Sequence, residues 1–369
     1  FEKIAHFLSD APDDSFLLIK GYAGTGKTTL IGHLVQQLSR IRKKSVLMAP
    51  TGRAAKVLSA YAGKNALTIH KKIYFPKAES GGGSVQFTLK ENKHTHTIFI
   101  VDESSMIGDD RQQSKLFENG SLLHDLVHYV TNGEKCKLIF VGDTAQLPPV
   151  NLGLSPALDE QELAAQFNTT VYSITLDDVV RQQAESGILF NATVIRELLV
   201  GDQFEGFKFH LEGFKDVQRI IEGNEFLELL NNTMDEDGID QTVLIVRSNK
   251  RANLYNKNIR ERILFFESDL AVCEQLMVVK NNYFWLGADS QPGFIANGDV
   301  IRINRINKNV DRYDMKFAEV SVQMVDYPNE PPFDTVLLLE TLNSETCLLY
   351  TSDAADDSLR VDLGGRRII

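Results

Sequence analysis

The chain of 369 residues is poor in cysteine, proline and tryptophan, with three, ten and one of these residues. No apolar run approaches the roughly 20 residues that cross a bilayer, which argues against a transmembrane helix. The first ten residues have neither the pattern of a signal peptide nor that of a transit peptide. Cys136, Cys273 and Cys347 share no metal-type or disulfide-type spacing. These absences argue against a disulfide-rich secreted domain and predict a protein of a reduced, cytosolic compartment.

Positive charge is scarce overall but concentrated in one stretch. The chain has 39 Lys and Arg against 50 Asp and Glu, for a net charge of −11. Residues 40–96 nevertheless contain 12 Lys and Arg and only 2 Asp and Glu, a local charge of +10. A basic stretch on an acidic protein indicates an electrostatic footprint for a polyanion. The alternative is a solvated surface without a ligand.

Short apolar segments suited to buried strands recur along the chain, with amphipathic helical stretches between them. They are SFLLIKG, SVLMAPT, HTIFIVDE and KLIFVGD. Strands that alternate with helices predict an α/β domain with a parallel sheet. The pattern breaks at 73–97, where the glycine-rich AESGGGSVQFTLKENK predicts an inserted β-hairpin. A further strand–helix unit, TVLIVRSNKRANLYNKNIRERI, precedes three strand-like segments, GFIANGDVIRINRI, KFAEVSVQMVDY and FDTVLLLETL.

A phosphate-binding loop is predicted directly after the first strand. Residues 21–28, GYAGTGKT, fit the pattern GxxxxGK[ST] between a strand and a helix. Glycines let successive backbone N–H groups point inward and hold a phosphate, and the helix N-terminus adds partial positive charge. Lys27 is expected to reach the β- and γ-phosphates, and the Thr28 hydroxyl to ligate Mg²⁺. The predicted nucleotide-binding residues are Gly21, Ala23, Gly24, Thr25, Gly26, Lys27, Thr28 and Thr29. A glycine-rich turn without a ligand is the alternative.

Two later segments predict the rest of a nucleotide-hydrolysing site. In VDESSM, Asp102 ends a strand and is a candidate Mg²⁺ ligand. Glu103 is a candidate general base for the attacking water. Gln146, in GDTAQLPPV, follows the next strand and is expected to sense the γ-phosphate. Arg181, in LDDVVRQQ, is a candidate arginine finger. The structural alternatives are an acidic strand end, a turn stiffened by two prolines and a surface arginine.

Six segments together resemble the motifs of a known family. GYAGTGKTT, APTGRAAKVL, LTIHKKI, VDESSM, FVGDTAQLPPV and LDDVVRQ stand in the order of motifs I, Ia, Ib, II, III and IV of superfamily 1 helicases. The resemblance is strongest to the 1B branch, the RecD-like and Dda-like 5′→3′ DNA helicases, with Pif1 more distant. It covers roughly residues 1–346. It implies an α/β fold with a P-loop RecA-like motor domain that carries the inserted hairpin. A truncated second RecA-like domain with a small SH3-like β insertion would follow.

The same resemblance implies domain bounds and an activity. RecA-like domain 1A would span 1–165, with the strand-separating pin hairpin (1B) at about 73–97. The first part of domain 2A would span 166–290, and a partial SH3-like 2B unit would span 291–346. The implied activity is ATP-dependent 5′→3′ translocation on single-stranded DNA, coupled to duplex unwinding. ATP and Mg²⁺ would be the cofactors, single-stranded DNA and its junctions with duplex the partners, and a bacterial cytosol or phage-infected cell the location. No membrane partner is expected, and no protein partner is indicated.

Residue roles follow from the motif matches. Lys27, Thr28, Asp102, Glu103, Gln146 and Arg181 match the family's ATP and Mg²⁺ positions. Five further residues match positions that contact the single strand: Pro50, Thr51, Arg53, Thr68 and His70. Phe87, in the hairpin, is a candidate wedge that stacks on the last base pair. A structural histidine and a packing phenylalanine are the alternatives for His70 and Phe87.

The end of the chain has a different character. Residues 347–369, CLLYTSDAADDSLRVDLGGRRII, resemble a translated sequencing adapter. We therefore expect authentic coding to end near Thr346 and the natural protein to be longer at both ends. No TxHKxQG-like or VALTRAK-like late motif is present, so this chain alone is expected to hydrolyse ATP poorly and not to unwind DNA. A different P-loop ATPase switch and a non-catalytic single-strand-binding fragment remain alternative hypotheses.

Overall fold

The fold is taken from a computed structural model. The residues that it describes are 2–78, 85–109, 120–149, 152–176, 186–200, 206–279, 282, 285–286, 290, 295, 298–312, 315–343 and 367–368. Within these ranges, no helix combines the length and apolar character needed to cross a bilayer.

A six-stranded parallel sheet forms the centre of the N-terminal half. Its strands are β1 Phe16–Gly21, β2 Lys44–Ala49, β3 Ala66–Thr68, β6 Thr97–Val101, β7 Lys137–Gly142 and β8 Val171–Leu176. They are arranged in the order β3-β2-β6-β7-β1-β8. The predicted α/β fold with a parallel sheet is therefore confirmed. All four apolar segments singled out in the sequence supply strands of this sheet.

Helices cover both faces of this sheet. They are α1 Glu2–Ser9, α2 Lys27–Arg40, α3 Gly52–Ala62, α4 Ile69–Ile73, α5 Leu122–Thr131 and α6 Glu160–Phe167. Alternate residues of β1 point to opposite faces, so Leu17 packs with α1, α2 and α3. Leu18 packs on the other face with α4, α5 and α6. Burial on both faces explains why these strands are continuously apolar in sequence.

The predicted hairpin insertion is confirmed within 73–97. Strands β4 Tyr74–Ala78 and β5 Val85–Leu89 pair antiparallel, with Tyr74 opposite Leu89 and Phe75 opposite Thr88. The glycines at 81–83 lie outside the described residues. The backbone N–H of Lys90 donates to the Ile73 carbonyl at 2.7 Å, which fixes the end of β5 beside the end of α4.

The first domain extends past the expected boundary at 165. Strand β8 pairs in parallel with β1, from Phe16 opposite Val171 to Gly21 opposite Leu176. It therefore belongs to the first sheet and not to the second domain. The sequence analysis named no strand at 171–176, and periodicity does not identify which strands lie side by side.

The part that follows is helical where it is described. Its helices are α7 Gly187–Val200, α8 Gly223–Glu236 and α9 Asn249–Arg262. The helical half of the predicted strand–helix unit is confirmed by α9. The strand half is wrong: TVLIVR at 242–247 is not in a strand, and Ile245 is 80% exposed. A strand needs a hydrogen-bonding neighbour, and the described residues of 186–262 contain no strand.

A second sheet follows, and the three predicted strand-like segments supply its strands β10, β11 and β12. Its strands are β9 Gln275–Met277, β10 Val300–Arg312, β11 Met315–Met324, β12 Phe333–Leu338 and β13 Arg367–Ile368, in the order β12-β11-β10-β9-β13. Strands β9 to β12 pair antiparallel, whereas β13 pairs with β9 in parallel. The short helix α10 Leu339–Asn343 follows β12. Ala318, Val320 and Val322 are buried while their neighbours are not, so one face of β11 packs on a core.

Candidate nucleotide-binding site and nucleic-acid face

The loop between β1 and α2 has the backbone shape of a phosphate cradle. Gly24 and Gly26 have φ angles of 82° and 83°, a region that residues with a Cβ rarely adopt. A Cβ on Gly21 would lie 2.7 Å from Thr25 Oγ1, so only glycine fits there. Gly26 precedes α2 and gives it no side-chain cap. The first N–H groups of α2 are therefore not satisfied by a capping side chain, and they suit an anion.

Lys27 lies across this loop. Its Nζ donates to the carbonyls of Gly21 at 2.6 Å and Tyr22 at 3.0 Å. It also lies 3.7 Å from Asp143 Oδ2. Thr25 Oγ1 donates to the Tyr22 carbonyl at 2.7 Å, which closes the turn. The ammonium group is thus held at the mouth of the cradle by neutral carbonyls, which phosphate oxygens could replace.

Asp102 is a buried carboxyl group at the end of β6. It is 9% exposed, and its Oδ1 accepts the backbone N–H of Glu103 at 3.0 Å. Burial raises the pKa of Asp102 to about 6, while the Glu103 N–H and nearby Lys27 oppose the rise. A divalent cation would stabilise the ionised form, so the residue suits Mg²⁺ binding. Thr28 is half-buried at the start of α2.

Glu103 has a strained backbone. Its φ of 53° lies in the left-handed region, which is uncommon for residues other than glycine, asparagine and aspartate. Such strain costs on the order of 1–3 kcal/mol and occurs mostly at functional sites. The 3₁₀ helix Ser104–Met106 begins directly afterwards.

Gln146 is tied to the segment that carries Asp102. Ser105 Oγ donates to Gln146 Oε1 at 2.9 Å, although 41 residues separate them. Ser105 is buried and Gln146 is exposed. With its oxygen engaged, the amide of Gln146 keeps its NH₂ group as a donor. Sequence reasoning gave Ser105 no role, although it stands in VDESSM.

Asp143 is a second site residue that sequence reasoning passed over. It directly follows β7, is buried, and accepts the N–H of Ala145 on Oδ1 at 2.8 Å. Its Oδ2 faces Lys27. Its place in GDTAQ, directly after an apolar strand, was the available signal. Asp102, Asp143 and Lys27 follow the adjacent strands β6, β7 and β1, so the structure brings the three predicted motifs together at one sheet edge.

The candidate arginine finger Arg181 lies outside the described residues. A different arginine, Arg196 on α7, has its guanidinium carbon 4.9 Å from the ring centre of Tyr22 in the P-loop. Its Nη2 also donates to Thr193 Oγ1 at 2.7 Å. A helix beyond the parallel sheet therefore contacts the phosphate loop. No sequence pattern pointed to Arg196.

The predicted contacts in the second motif lie at the start of α3. Thr51 caps this helix, because its Oγ1 accepts the N–H of Ala54 at 3.2 Å. Pro50 is half-buried and Arg53 is exposed. A Cβ on Gly52 would lie 3.2 Å from Asp299 Oδ1 and 3.3 Å from the hydroxyl of Tyr327, so the antiparallel unit packs here.

Thr68 and His70 have structural roles in the free protein. Thr68 Oγ1 caps α4 by accepting the N–H of Lys71 at 3.2 Å. Burial lowers the pKa of His70 to about 4, so its ring is neutral at pH 7 and adds no positive charge. The ring packs 5.7 Å from that of Tyr74. Phe87 lies in β5, opposite Pro76, but its side chain is outside the described part of the chain.

No cluster of three or more metal-binding side chains occurs among the described residues. A Mg²⁺ ion at this edge would therefore take protein ligands from the pair predicted by sequence, Thr28 and Asp102. The remaining ligands would come from nucleotide and water, as is usual for Mg²⁺. The donor set, two oxygen groups beside an uncapped phosphate loop, fits that ion.

Comparison with known proteins gives a consistent group of relatives. Residues 6–152 match the AAA domain family. The ATP-dependent RecD2 DNA helicase of Deinococcus radiodurans is 30% identical over 194 residues, which cover 51% of this chain and 22% of that protein. The ATP-dependent DNA helicase Dda of Enterobacteria phage T4 is 26% identical over 311 residues, which cover 77% of this chain and 62% of that protein. The chain thus spans less than two thirds of either relative.

A solved structure also aligns over most of the chain. The Pif1 helicase from Bacteroides, in complex with ADP-AlF3 and single-stranded DNA, covers 90% of this chain at 18% identity. The aligned part is 72% of that protein, and the TM-score is 0.39. The likeness to helicases therefore rests on the sequence relatives alone. Residues 6–152 match the AAA domain family, and the chain is similar to ATP-dependent DNA helicases of the RecD2 and Dda type.

Proposed function

We propose that this chain is part of an ATP-driven motor that moves 5′→3′ on single-stranded DNA and separates duplex DNA at junctions. One observation carries the proposal: Lys27, Asp102 and Asp143 meet at the carboxyl ends of three adjacent parallel strands, beside an uncapped phosphate loop. ATP is the nucleotide and Mg²⁺ the ion that this set of groups suits. The names of RecD2 and Dda support the same activity.

Each residue of the site has a distinct task in this proposal. Lys27 leaves the carbonyls of Gly21 and Tyr22 and binds phosphate oxygens. Thr28 and Asp102 would hold a Mg²⁺ ion, which would neutralise charge that develops on the phosphates. Glu103 accepts a proton from the attacking water. Gln146 presents its amide NH₂ toward the terminal phosphate because Ser105 holds its oxygen.

The proposed nucleic-acid contacts lie at the same edge of the sheet. Thr51 lies two residues after β2, and Thr68 is the last residue of β3. The carboxyl ends of these parallel strands face the same way as those of β1, β6 and β7. A change of shape around the nucleotide is therefore transmitted through the sheet to the strand-binding residues. The contact between Arg196 and Tyr22 supplies a second link, from α7 to the phosphate loop. In the proposed cycle, two lobes close on ATP, reopen after hydrolysis and alternate their hold on the strand.

The test measures coupling between nucleotide and DNA. Fluorescence anisotropy gives the affinity for a labelled oligo-dT with and without a non-hydrolysable ATP analogue and Mg²⁺. We expect the analogue to change the DNA affinity of the wild type, because binding at two coupled sites is reciprocal. Lys27→Ala should still bind DNA but lose the effect of the analogue. An identical DNA affinity in both conditions would contradict a motor and favour a non-catalytic DNA-binding protein.

We further propose that the protein works in a reduced cytosol. The described cysteines support this compartment: Cys136 is buried, Cys273 is exposed, and both are free thiols.

A further inference from the structure

Three half-buried lysines lie at the base of the hairpin, where α4 leads into β4 and the chain leaves β5. Lys71 and Lys72 lie on α4, and Lys90 directly follows β5. Lys90 Nζ donates to the Lys71 carbonyl at 2.7 Å. The ion pairs within the described residues involve none of these three lysines. Part of the +10 segment is thus folded into a compact cluster of positive charge.

The partners of Lys72 and Lys90 are electrically neutral. Lys72 Nζ lies 2.7 Å from Nε2 of His94. Because an ammonium group only donates, His94 accepts as a neutral ring. Lys71 differs, since its Nζ donates to the Ser290 carbonyl at 3.0 Å and feels the negative charge of Glu330.

The cluster is costly to maintain in the free protein. Burial lowers the pKa of all three lysines, and the pKa of Lys90 is lowered further by the two neighbouring lysines. Burial, and then Lys72, also lowers the pKa of His94. A bound anion would remove this like-charge repulsion.

An exposed aromatic ring lies beside the cluster. Phe75 is 59% exposed, whereas the preceding Tyr74 is buried in the core. Lys90 Nζ lies 5.0 Å from the centre of the Phe75 ring. An exposed ring next to ammonium groups matches the two chemical parts of a nucleotide unit, a flat base and a phosphate. An acidic peptide would satisfy the lysines but would leave the ring exposed.

We propose that Lys72, Lys90 and Phe75 form a binding site for one nucleotide unit of single-stranded DNA, with the lysines binding its phosphate and the ring stacking on its base. This inference rests on the proposed function. It adds to the nucleic-acid face three residues to which the motif comparison gave no role. It also places a base contact at the foot of the hairpin, separate from Phe87.

The charged half of the site is tested by salt-dependent binding. The probe is fluorescein-labelled dT16 without nucleotide, measured by anisotropy between 0.05 and 0.3 M NaCl. One phosphate contact on a single strand contributes about 0.7 to the slope of log affinity against log salt concentration. At 0.1 M salt, such a contact raises the affinity roughly fivefold relative to 1 M salt. Lys72→Ala and Lys90→Ala should each show that loss in slope and affinity. The matched control is Lys93→Ala, because Lys93 is exposed and already 3.5 Å from Glu91.

The aromatic half is tested by substitution of Phe75. Phe75→Ala should weaken dT16 binding roughly tenfold with an unchanged salt slope, since stacking involves no counterion release. Phe75→Trp should restore the affinity. The ring is exposed, so thermal unfolding of the alanine variant should match that of the wild type.

Three outcomes would overturn the site. They are wild-type affinity and slope in both lysine variants, an equal loss in Lys93→Ala, or wild-type affinity in Phe75→Ala. A wild-type protein that does not bind dT16 at all would instead refute the proposed function. Failure of the site and failure of the function are therefore distinguishable.

Discussion

Replacing Asp102 by asparagine should stabilise the ligand-free protein while abolishing the effect of Mg²⁺ on nucleotide binding. The carboxyl group is 9% exposed, and burial raises its pKa to about 6. Asparagine has nearly the same shape and still accepts the Glu103 N–H that now bonds Oδ1 at 3.0 Å. The substitution therefore removes a charge and leaves the hydrogen bond in place.

The size of the effect follows from the two pKa values. A rise from 3.8 in the unfolded chain to about 6 in the folded protein corresponds to about 3 kcal/mol. Because the folded pKa is the higher one, the folded state binds the proton more tightly. The wild type therefore loses stability as the pH rises from about 4 to about 6, and the loss is complete above that range. Asp102→Asn lacks this loss, so its gain should reach about 3 kcal/mol at pH 7.5 and vanish near pH 4.

Urea unfolding in EDTA without nucleotide measures this difference. Both proteins are compared at pH 7.5 and near pH 4, and nucleotide affinity with and without Mg²⁺ is measured separately. Asp143→Asn is the control: it removes a buried carboxylate 3.7 Å from Lys27, so it should destabilise the protein. A gain in Asp102→Asn that does not depend on pH, or the absence of any gain, would refute the assignment of Asp102 as an unpaired buried charge.

Three further substitutions test other parts of the structure. Ser105→Ala frees the Gln146 amide and should weaken binding of a non-hydrolysable ATP analogue roughly tenfold while ADP affinity is unchanged, because Gln146 faces the terminal phosphate in the proposed site; an equal analogue affinity would contradict a positioning role. Glu274→Gln leaves Arg260 buried without its charged partner and should cost about 3–5 kcal/mol in urea unfolding, unlike Glu261→Gln on the exposed face of α9. Gly26→Ala forces a Cβ at φ 83° and should cost about 1 kcal/mol and weaken ATP binding, measured by calorimetry; unchanged values would contradict the loop geometry.

Local patterns in the sequence were enough to predict the strand, turn and helix that form the phosphate loop. These elements are built from consecutive residues, and periodicity and the glycine pattern identify each of them. The segments that contain Asp102 and Gln146 each follow a predicted strand, and parallel strands have their carboxyl ends on the same side of the sheet. The side-chain bond between Ser105 and Gln146 was not predictable. It joins residues 41 positions apart, and no periodic pattern encodes it.

Two expectations failed for reasons of tertiary structure. The segment 242–247 has the composition of a strand, but a strand forms only beside a partner, and Ile245 is exposed. The domain boundary at 165 separated residues 171–176 from the sheet that they complete, because pairing with β1 is a long-range contact. The two readings of His70 stay open, and burial makes its ring neutral in the free protein. Thr51 and Thr68 cap α3 and α4. Threonine directly before a helix is a common N-cap, so this role could have been predicted from the sequence.

The described buried charges differ in what neutralises them. Arg260 Nε donates to Glu274 Oε1 at 2.8 Å, so this buried pair is neutralised inside the fold and needs no ligand. Among the described residues, no ion pair includes Asp102, although Lys27 lies near enough to lower its pKa. Lys72 and Lys90, at the hairpin base, have neutral hydrogen-bond partners. Perturbed titratable groups are concentrated at sites where a ligand offsets the cost of their burial. Asp102 therefore indicates a cation site at the phosphate loop, and the lysines indicate an anion site at the foot of the hairpin.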